Sequence, residues 1–203
     1  MPSAPSPIEL PVLGSEPRQR ADAVRNRAVI LSTAARLFRE QGVENVSMDA
    51  IACAAGVGKG TLFRRFGDRS SLVRALLEES ESELQESFIR GEPPLGPGAP
   101  PVERLVAFGE ALLDFTAGNG EFLLAAEAGG VGLRFRTAVY GAYRAHVQVL
   151  VRAGAPELDA GYTADALLAP LAAEMVMHHV RGRGIPLEDL KTGWAALARR
   201  VLA

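Results

Sequence analysis

The stretch that decides the fold is Ser47–Phe66, which reads SMDAIACAAGVGKGTLFRRF. It contains two short helical patterns joined by a glycine-bearing turn. Ser47 is a good N-cap for the first pattern, because its hydroxyl can accept a hydrogen bond from a free backbone N–H. Gly56 is expected to take the left-handed conformation that ends this helix. The second pattern begins at Gly58 and Lys59, and its outer side is basic.

A helix, a short turn and a basic second helix match the helix-turn-helix plan, in which the second helix lies in the DNA major groove. An ordinary helical hairpin with a solvated charged face would give the same bare pattern. Gly58 and Gly60 favour the first interpretation, because glycine lets the backbone approach phosphates or base edges closely.

The residues around this stretch make the interpretation specific. The run IACAAGVGKGTLFRRFGDRSSL (Ile51–Leu72), preceded by AVILSTAARLFREQGVENVSM (Ala28–Met48), resembles the DNA-binding signature of TetR-family (tetracycline-repressor-like) transcriptional regulators. The resemblance covers roughly Arg20–Glu78. It implies an all-α fold, with an N-terminal three-helix helix-turn-helix domain and a C-terminal helical bundle for ligand binding and dimerisation. It also implies a homodimer that represses genes from a palindromic operator in double-stranded DNA until a small-molecule effector binds.

The same resemblance implies which residues contact DNA. They are Ser47, Gly58, Lys59, Gly60, Thr61, Phe63, Arg64, Arg65 and Arg69. An arginine such as Arg64 can pair with guanine through two hydrogen bonds, and Arg69 stands where the family usually has a phosphate-binding lysine. Phe63 departs from the family pattern, in which a tyrosine is common at this position. Its ring could pack against sugar or simply fill the core.

The charge distribution supports a DNA-binding head. Residues 18–74 contain 11 basic and five acidic side chains, a net charge of +6, whereas the whole chain has a net charge of −2. The rest of the chain is therefore acidic, at −8. A basic domain joined to an acidic one is typical of a DNA-binding module with a body that serves another partner.

Composition and turn residues divide the chain into three predicted parts. Residues 1–20 are expected to form a disordered tail, because five prolines fall in the first 17 positions. Residues 21–68 are assigned to the helix-turn-helix domain and residues 69–203 to the helical regulatory and dimerisation domain. Within the latter, GEPPLGPGAPP (Gly91–Pro101) must be a loop.

Apolar residues recur at helical spacing over most of the chain, and no strand pattern of any length occurs. The predicted helices outside the decisive stretch are about Asp22–Gln41, a long helix capped by Ser70 or Asp68 that runs to about Arg90, Val102–Ala117, Glu121–Glu127, Leu133–Ala153, Thr163–Val180 and Leu187–Leu202. The triplet Gly118–Gly120 is interpreted as a break between two of them.

The layout of the family places an effector pocket among the body helices, and such a pocket is mostly apolar. The candidate pocket residues are Phe108, Leu112, Phe115, Phe122, Tyr143, His146 and Met175, with Glu127 or Tyr140 as polar contacts. The last two helices are the candidate dimer interface. Its predicted residues are Leu167, Leu171, Leu190, Trp194, Leu197 and Val201. Both sets could instead fill the core of one chain.

Several functional classes find little support in the sequence. Cys53 is the only cysteine, so a disulfide and a thiolate metal cluster are excluded within one chain; we expect it to be buried and inert. His178 and His179 are adjacent and point to different faces of a helix, which makes them a poor metal pair. No HExxH, GxSxG, Walker or dinucleotide-binding motif appears. We therefore expect no enzyme activity, no cofactor and no metal.

Membrane association is also not expected. The first residues lack the basic and apolar regions of a signal peptide, and no apolar run approaches the ~18 residues of a membrane span. The sequence thus predicts a cytoplasmic regulator. The alternative is a helical protein-interaction adaptor without specific DNA binding, and steeply salt-dependent binding to duplex DNA would distinguish the two.

Overall fold

The computed structural model describes residues 16–127 and 132–202, and every regular element in these residues is helical. The α-helices are, in chain order, α1 (Glu16–Gln41), α2 (Met48–Ala54), α3 (Lys59–Phe66), α4 (Arg69–Arg90), α5 (Pro101–Glu127), α6 (Ala138–Gly154), α7 (Ala160–Leu168), α8 (Ala173–Met177) and α9 (Leu187–Val201). The predicted all-α fold is confirmed. Among the described residues, no helix combines the length and hydrophobicity that a membrane crossing requires.

Local capping sets the boundaries of the first helices, as the sequence predicts. The Ser47 hydroxyl accepts a hydrogen bond from the backbone N–H of Ala50 at 3.1 Å, and Gly56 ends α2 with a φ of 66°. A left-handed φ of this kind costs glycine nothing but strains other residues. Asp68 caps α4 by accepting from the N–H of Ser71 at 2.7 Å. The two ends of α2 and the start of α4 are thus fixed by contacts only a few residues apart.

The first helix starts earlier than predicted. It begins at Glu16 rather than at Asp22, so the end of the predicted tail is helical. Pro17 does not prevent this start, because the N–H that proline lacks has no partner in the first turn of a helix. The remainder of the predicted tail, residues 1–15, lies outside the described residues.

The predicted break at Gly118–Gly120 is wrong, because α5 continues through it to Glu127. Gly120 lies against Met177 of α8, and a Cβ atom at Gly120 would lie only 2.2 Å from the Met177 sulfur. Asn119 keeps a helical position, and its side-chain amide donates to the Phe115 carbonyl at 3.0 Å. The glycine therefore permits a close helix–helix contact and does not form a turn.

The predicted helix Thr163–Val180 is interrupted. The chain forms α7, a 3₁₀ turn at Ala169–Leu171, α8 and a π-helical turn at His178–Gly182. Pro170 lies in the 3₁₀ turn, where its missing N–H and fixed φ interrupt the α-helical hydrogen bonds. The other body helices follow the prediction more closely, with α9 ending at Val201 and α6 preceded by a 3₁₀ turn.

The first of two hydrophobic clusters forms the core of the N-terminal head. It joins α1, α2 and α3 to the start of α4, and Phe38, Ile51 and Leu62 at its centre are fully buried. Phe122 of α5 also belongs to this cluster, with its ring centroid 6.0 Å from that of Phe38 in an edge-to-face arrangement. The core of the head is thus completed by a residue far along the chain. The division at residue 68 remains a prediction.

The second cluster forms the core of the body, which comprises α5–α9 and the C-terminal half of α4. Trp194 of α9 is its main anchor on α5, because the indole N–H points at the carbonyls of Leu105 and Val106 at 3.2 and 3.1 Å. Gly109 makes room for the indole, since a Cβ atom there would lie 1.8 Å from Trp194 Cε2. The pair fixes how closely α5 and α9 approach.

Cys53 is exposed, so the prediction of a buried thiol is wrong. Met48, Ile51 and Ala52 are the buried residues of α2. Cys53 then falls on the outer side of this short helix, because successive helical residues are rotated by about 100°.

Candidate functional site: a basic helix face and an internal cavity

The residues predicted to contact DNA are exposed on the head, apart from the half-buried Thr61. Leu62 and Phe66 are buried and attach α3 to the core of the head. Arg64 and Arg65 form no ion pair within 4 Å among the described residues. They are two arginines available for an outside partner.

The glycines at the start of α3 are not required by the fold. A Cβ atom at Gly60 would meet no heavy atom within 4 Å, and one at Gly58 would only touch the Thr61 hydroxyl at 3.9 Å. Neither has a left-handed φ. They leave the N-terminal end of α3 uncovered, where backbone N–H groups lack helical partners and favour an anion such as phosphate.

Two basic side chains of this surface are held by neighbouring helices. The Lys59 ammonium donates to the Asp49 carboxylate of α2 at 2.5 Å, although both side chains are more than half exposed. Arg69, at the start of α4, donates to the backbone carbonyl of Glu44 at 2.8 Å. Both cations are therefore held in place by the head before any partner arrives.

Phe63 lies on the surface, with 46% of its area exposed. Core packing, one of its two possible roles, therefore does not apply. An exposed phenyl ring on a basic helix can contact the sugar of a bound nucleic acid, but it has no hydroxyl with which to donate a hydrogen bond to phosphate.

A cavity of about 380 Å³ lies between α4 and the helices of the body. Its volume is within the range of small-molecule sites. Five of the nine predicted pocket residues line it. They are Leu112, Phe115, Glu127, Tyr140 and Tyr143. The cavity is thus assembled from α4–α7, the turn before α6 and the turn before α8.

Three other predicted pocket residues lie outside the cavity, two of them in the hydrophobic cores and one on the surface. Phe108 is fully buried in the core of the body and Phe122 in that of the head. Met175 is 43% exposed on α8, so it faces away from the cavity. Helical spacing alone could not distinguish residues that line the cavity from residues of the core or the surface, because these helices carry apolar residues on more than one side.

The ninth predicted residue, His146, is part of an aromatic cluster. Its ring centroid lies 4.5 Å from that of Phe88 and 4.9 Å from that of Phe108. Its Nε2 atom is buried without a hydrogen-bond partner. Burial, together with the positive charge of Arg104, lowers the pKa of His146 from 6.5 to about 4. The imidazole is neutral at physiological pH.

The cavity contains carboxylates that the sequence did not indicate. Glu78 and Glu81 of α4 line it together with Glu127 of α5. Burial, and the neighbouring charge of Glu78, raise the pKa of Glu81. Burial also raises the pKa of Glu127, against the opposing effect of Arg134. Glu78 and Glu81 lie in a helix rich in charged residues, so nothing in the sequence separates them from its solvated face.

The two tyrosines of the cavity differ in their hydrogen bonding. The Tyr140 hydroxyl donates to Asp165 at 3.0 Å, and the same carboxylate accepts two bonds from Arg144. This arrangement joins α6 to α7. In contrast, the Tyr143 hydroxyl is buried and has no partner, and burial together with the charge of Glu81 raises its pKa.

The predicted dimer residues separate into two groups. Leu167, Leu171 and Trp194 are buried within a single chain, and their contact with a second copy stays a prediction. Their apolar side chains form the core of the body. Leu197 is 42% exposed, while Leu190 and Val201 are half-buried. The exposed apolar residues of α7–α9 also include Tyr162 and Met175.

The described residues contain no group of three or more histidine, cysteine, aspartate or glutamate side chains that could hold a metal ion. His178 and His179 lie in the π-helical turn, with ring centroids 5.7 Å apart. His146 is separate from them in the aromatic cluster.

A helix-turn-helix head with an exposed basic second helix, joined to a helical body that encloses a cavity, defines a class of DNA-binding regulators. Residues 30–76 match the family described as bacterial regulatory proteins, tetR family. Over these residues the head of the chain is thus similar to the tetR family of bacterial regulatory proteins.

A curated relative matches the N-terminal part of the chain. The HTH-type transcriptional regulator SAB2452 of Staphylococcus aureus (strain bovine RF122 / ET3-1) is 35% identical over 116 residues. This match covers 57% of the present chain and 61% of the relative. The chain thus spans less than two thirds of the curated relatives it matches first.

Solved structures extend the likeness to the body. A transcriptional regulator from Saccharomonospora viridis in complex with choline has a TM-score of 0.68 at 19% identity, covering 87% of this chain and 96% of that one. FadR from Bacillus subtilis in complex with stearoyl-CoA has a TM-score of 0.66 at 16% identity, covering 84% and 96%. At such low identity these likenesses show the fold alone.

Proposed function

We propose that the chain is a sequence-specific DNA-binding transcriptional regulator, a repressor that leaves its operator when a small molecule enters the cavity. It acts as a homodimer on a palindromic site in double-stranded DNA. Two recognition helices would then read half-sites about one helical turn, ~34–36 Å, apart. The protein works in the cytoplasm, beside the chromosome, and has no catalytic role.

The observation that carries this proposal is the exposed basic surface of α3. Lys59, Arg64 and Arg65 project from a helix whose other face is buried, and Gly58 and Gly60 leave its first turn uncovered. In this arrangement Arg64 reads a base edge, while Lys59 and Arg69 bind phosphate. Ser47, Thr61 and Phe63 complete the contact surface that we propose.

Exposed apolar residues support a dimer. Tyr162, Met175 and Leu197 are 77%, 43% and 42% exposed and lie on α7, α8 and α9 respectively. Side chains of this kind are more favourable when another surface covers them. We propose that the second copy packs here, with Leu197 and the half-buried Leu190 and Val201 in the contact.

Helix α4 provides a physical connection between the cavity and DNA. Its first residue, Arg69, is bonded to the backbone of the head, while Glu81, about three turns later, lines the cavity. A ligand that displaces α4 would change the position of the head relative to its copy. The ligand shifts this equilibrium only by its different affinities for the two states.

The neighbouring structures support a small-molecule effector. The Saccharomonospora regulator is described with choline bound and the Bacillus regulator with stearoyl-CoA. Two regulators with this fold are thus described in complex with small molecules. We propose that the present cavity holds a largely apolar molecule among Leu112, Phe115, Glu127, Tyr140 and Tyr143.

The test is a titration of the DNA that flanks the protein's own gene, by gel shift and fluorescence anisotropy at two salt concentrations. Tight binding to a palindrome by a dimer is the expected result, with affinity falling as salt rises. Lys59→Ala should reduce the slope of log binding constant against log salt concentration by about one, because one phosphate contact is lost. Absence of binding at low salt would overturn the proposal in favour of a helical adaptor.

A further inference from the structure

We propose that the cavity binds an amphiphilic organic cation, whose ammonium group lies beside Glu81 and the Tyr143 hydroxyl and whose hydrocarbon part lies along the apolar wall. This inference rests on the proposed function in one respect, because it names the class of the effector. Binding to the cavity can nevertheless be measured on the protein without DNA.

The first observation is an unpaired buried hydroxyl. Tyr143 is only 7% exposed, lines the cavity, and has a hydroxyl without a hydrogen-bond partner. Buried polar groups are nearly always paired in proteins, and an unpaired one is unfavourable. A polar group of a ligand in the cavity would provide the partner that the protein does not.

The second observation is a half-buried carboxylate without a counter-ion. Glu81 forms no ion pair within 4 Å among the described residues. Burial and the neighbouring Glu78 raise the pKa of Glu81, and the opposing effect of Arg74 is smaller. Glu78 itself is paired with Arg27 at 3.9 Å, whereas Glu81 has no such partner. Partial burial of negative charge is unfavourable unless a cation compensates it. An ammonium group at this position would do so.

The arginines of the cavity do not fill this role. Arg134 lies over the rings of Phe135 and Tyr140, at 5.2 Å from each ring centroid, and its charge acts on Glu127. Arg136 also lines the cavity but is exposed to solvent. Arg74 of α4 lines the cavity too, but it forms no ion pair with Glu81, and its charge lowers the pKa of Glu81 by less than burial and Glu78 raise it.

The remaining wall suits a hydrocarbon chain. It is formed mainly by leucines and one phenylalanine, with Leu112, Phe115 and Leu171 contributed by the core of the body. The rings of Phe115 and Tyr143 also offer faces that attract a cation. A ligand with one charged end and an apolar body matches both parts of the cavity.

Three probes with the same alkyl chain test the inference: n-octylammonium, n-octanol and octanoate. Each is titrated into the purified full chain by calorimetry, without DNA, at neutral pH. We expect n-octylammonium to bind at least about tenfold more tightly than octanoate, because the former meets a carboxylate and the latter is repelled by it. Equal affinities, a preference for octanoate, or no binding of n-octylammonium would overturn the proposal.

Substitutions in the cavity test where the ammonium group of the ligand binds. Glu81→Gln should weaken n-octylammonium about tenfold while leaving n-octanol unchanged, and Tyr143→Phe should weaken it by a smaller factor. Glu83→Gln is the matched control, since Glu83 is an exposed carboxylate of the same helix outside the cavity. If both glutamate variants behave alike, the cation binds elsewhere and the proposal fails. A failure of DNA binding would leave these results unaffected and would count against the proposed function only.

Discussion

The basic face of the head and the cavity of the body are built in opposite ways. The basic face comes from residues close together in sequence, with caps and turns such as Ser47 and Gly56 fixing its shape. The cavity comes from segments of α4–α7 and the turn before α8, and its walls depend on how those helices pack. One region is determined locally and the other by the whole fold. The contrast predicts that substitutions in the two regions will have different kinds of effect.

The largest loss of stability should come from Phe122, which belongs to α5 but packs in the core of the head. Phe122→Ala removes a buried ring of α5 that packs on Phe38, and should lower the free energy of unfolding by about 3–5 kcal/mol. Chemical denaturation measures it. Phe135→Ala is the control, because that ring is 61% exposed. Equal losses in the two variants would mean that Phe122 does not support the head.

A glycine pair tests the packing of the body. Gly109→Ala places a Cβ atom against the Trp194 indole and should destabilise the protein by about 1–3 kcal/mol. Gly141→Ala, on exposed α6 surface with nothing within 4 Å, should instead stabilise it by up to about 1 kcal/mol. Thermal unfolding of both variants checks the sign. A stabilised Gly109→Ala protein would contradict the close contact of α5 and α9.

On the basic face, function and stability should separate. Arg64→Ala should cost about 1–3 kcal/mol of specific DNA binding and relax the preference at one base position. Its unfolding midpoint should not change, because the side chain is exposed. Arg152→Ala, an exposed arginine of the body, should alter neither quantity. Loss of binding at all sequences equally would instead assign Arg64 to phosphate.

The buried imidazole should make the body sensitive to acid. His146 has a pKa of about 4 in the folded chain and 6.5 as its ordinary value, so the unfolded chain binds the proton first. Between these pH values, stability should fall as pH falls, with a contribution of at most about 1.4 kcal/mol per pH unit. His146→Phe should remove this contribution, and His178→Gln, at an exposed site, should not. Unfolding of each variant at pH 7, 6 and 5 measures it.

The smallest effect concerns the ion pair on the basic face. Asp49→Asn releases the Lys59 ammonium and removes a negative charge from the surface that meets phosphate. DNA binding should strengthen by about 0.5–1 kcal/mol at low salt. Glu86→Gln, which breaks the comparable exposed pair with Arg90, should leave DNA binding unchanged. Weaker binding by Asp49→Asn would show that the carboxylate positions Lys59 productively.

The same contrast explains what could be predicted from the sequence. The helix-turn-helix boundaries followed from caps and glycines, whose physics is local. Gly118–Gly120 misled the prediction, because the close approach of Met177 that explains Gly120 arises only in the folded chain. Glu81 was missed for a similar reason, since its sequence surroundings resemble those of any exposed helix. Trp194 was assigned to a dimer contact, and the sequence could not indicate that α5 covers it.

The position of Phe122 has a consequence for protein engineering. A chimeric sensor joins the DNA-reading part of one regulator to the ligand-reading part of another. In this chain, a junction placed directly after α4 would leave the core of the head without one of its rings. A working chimera would have to carry the end of α5 with the head, or supply an aromatic side chain of the same reach from the new body.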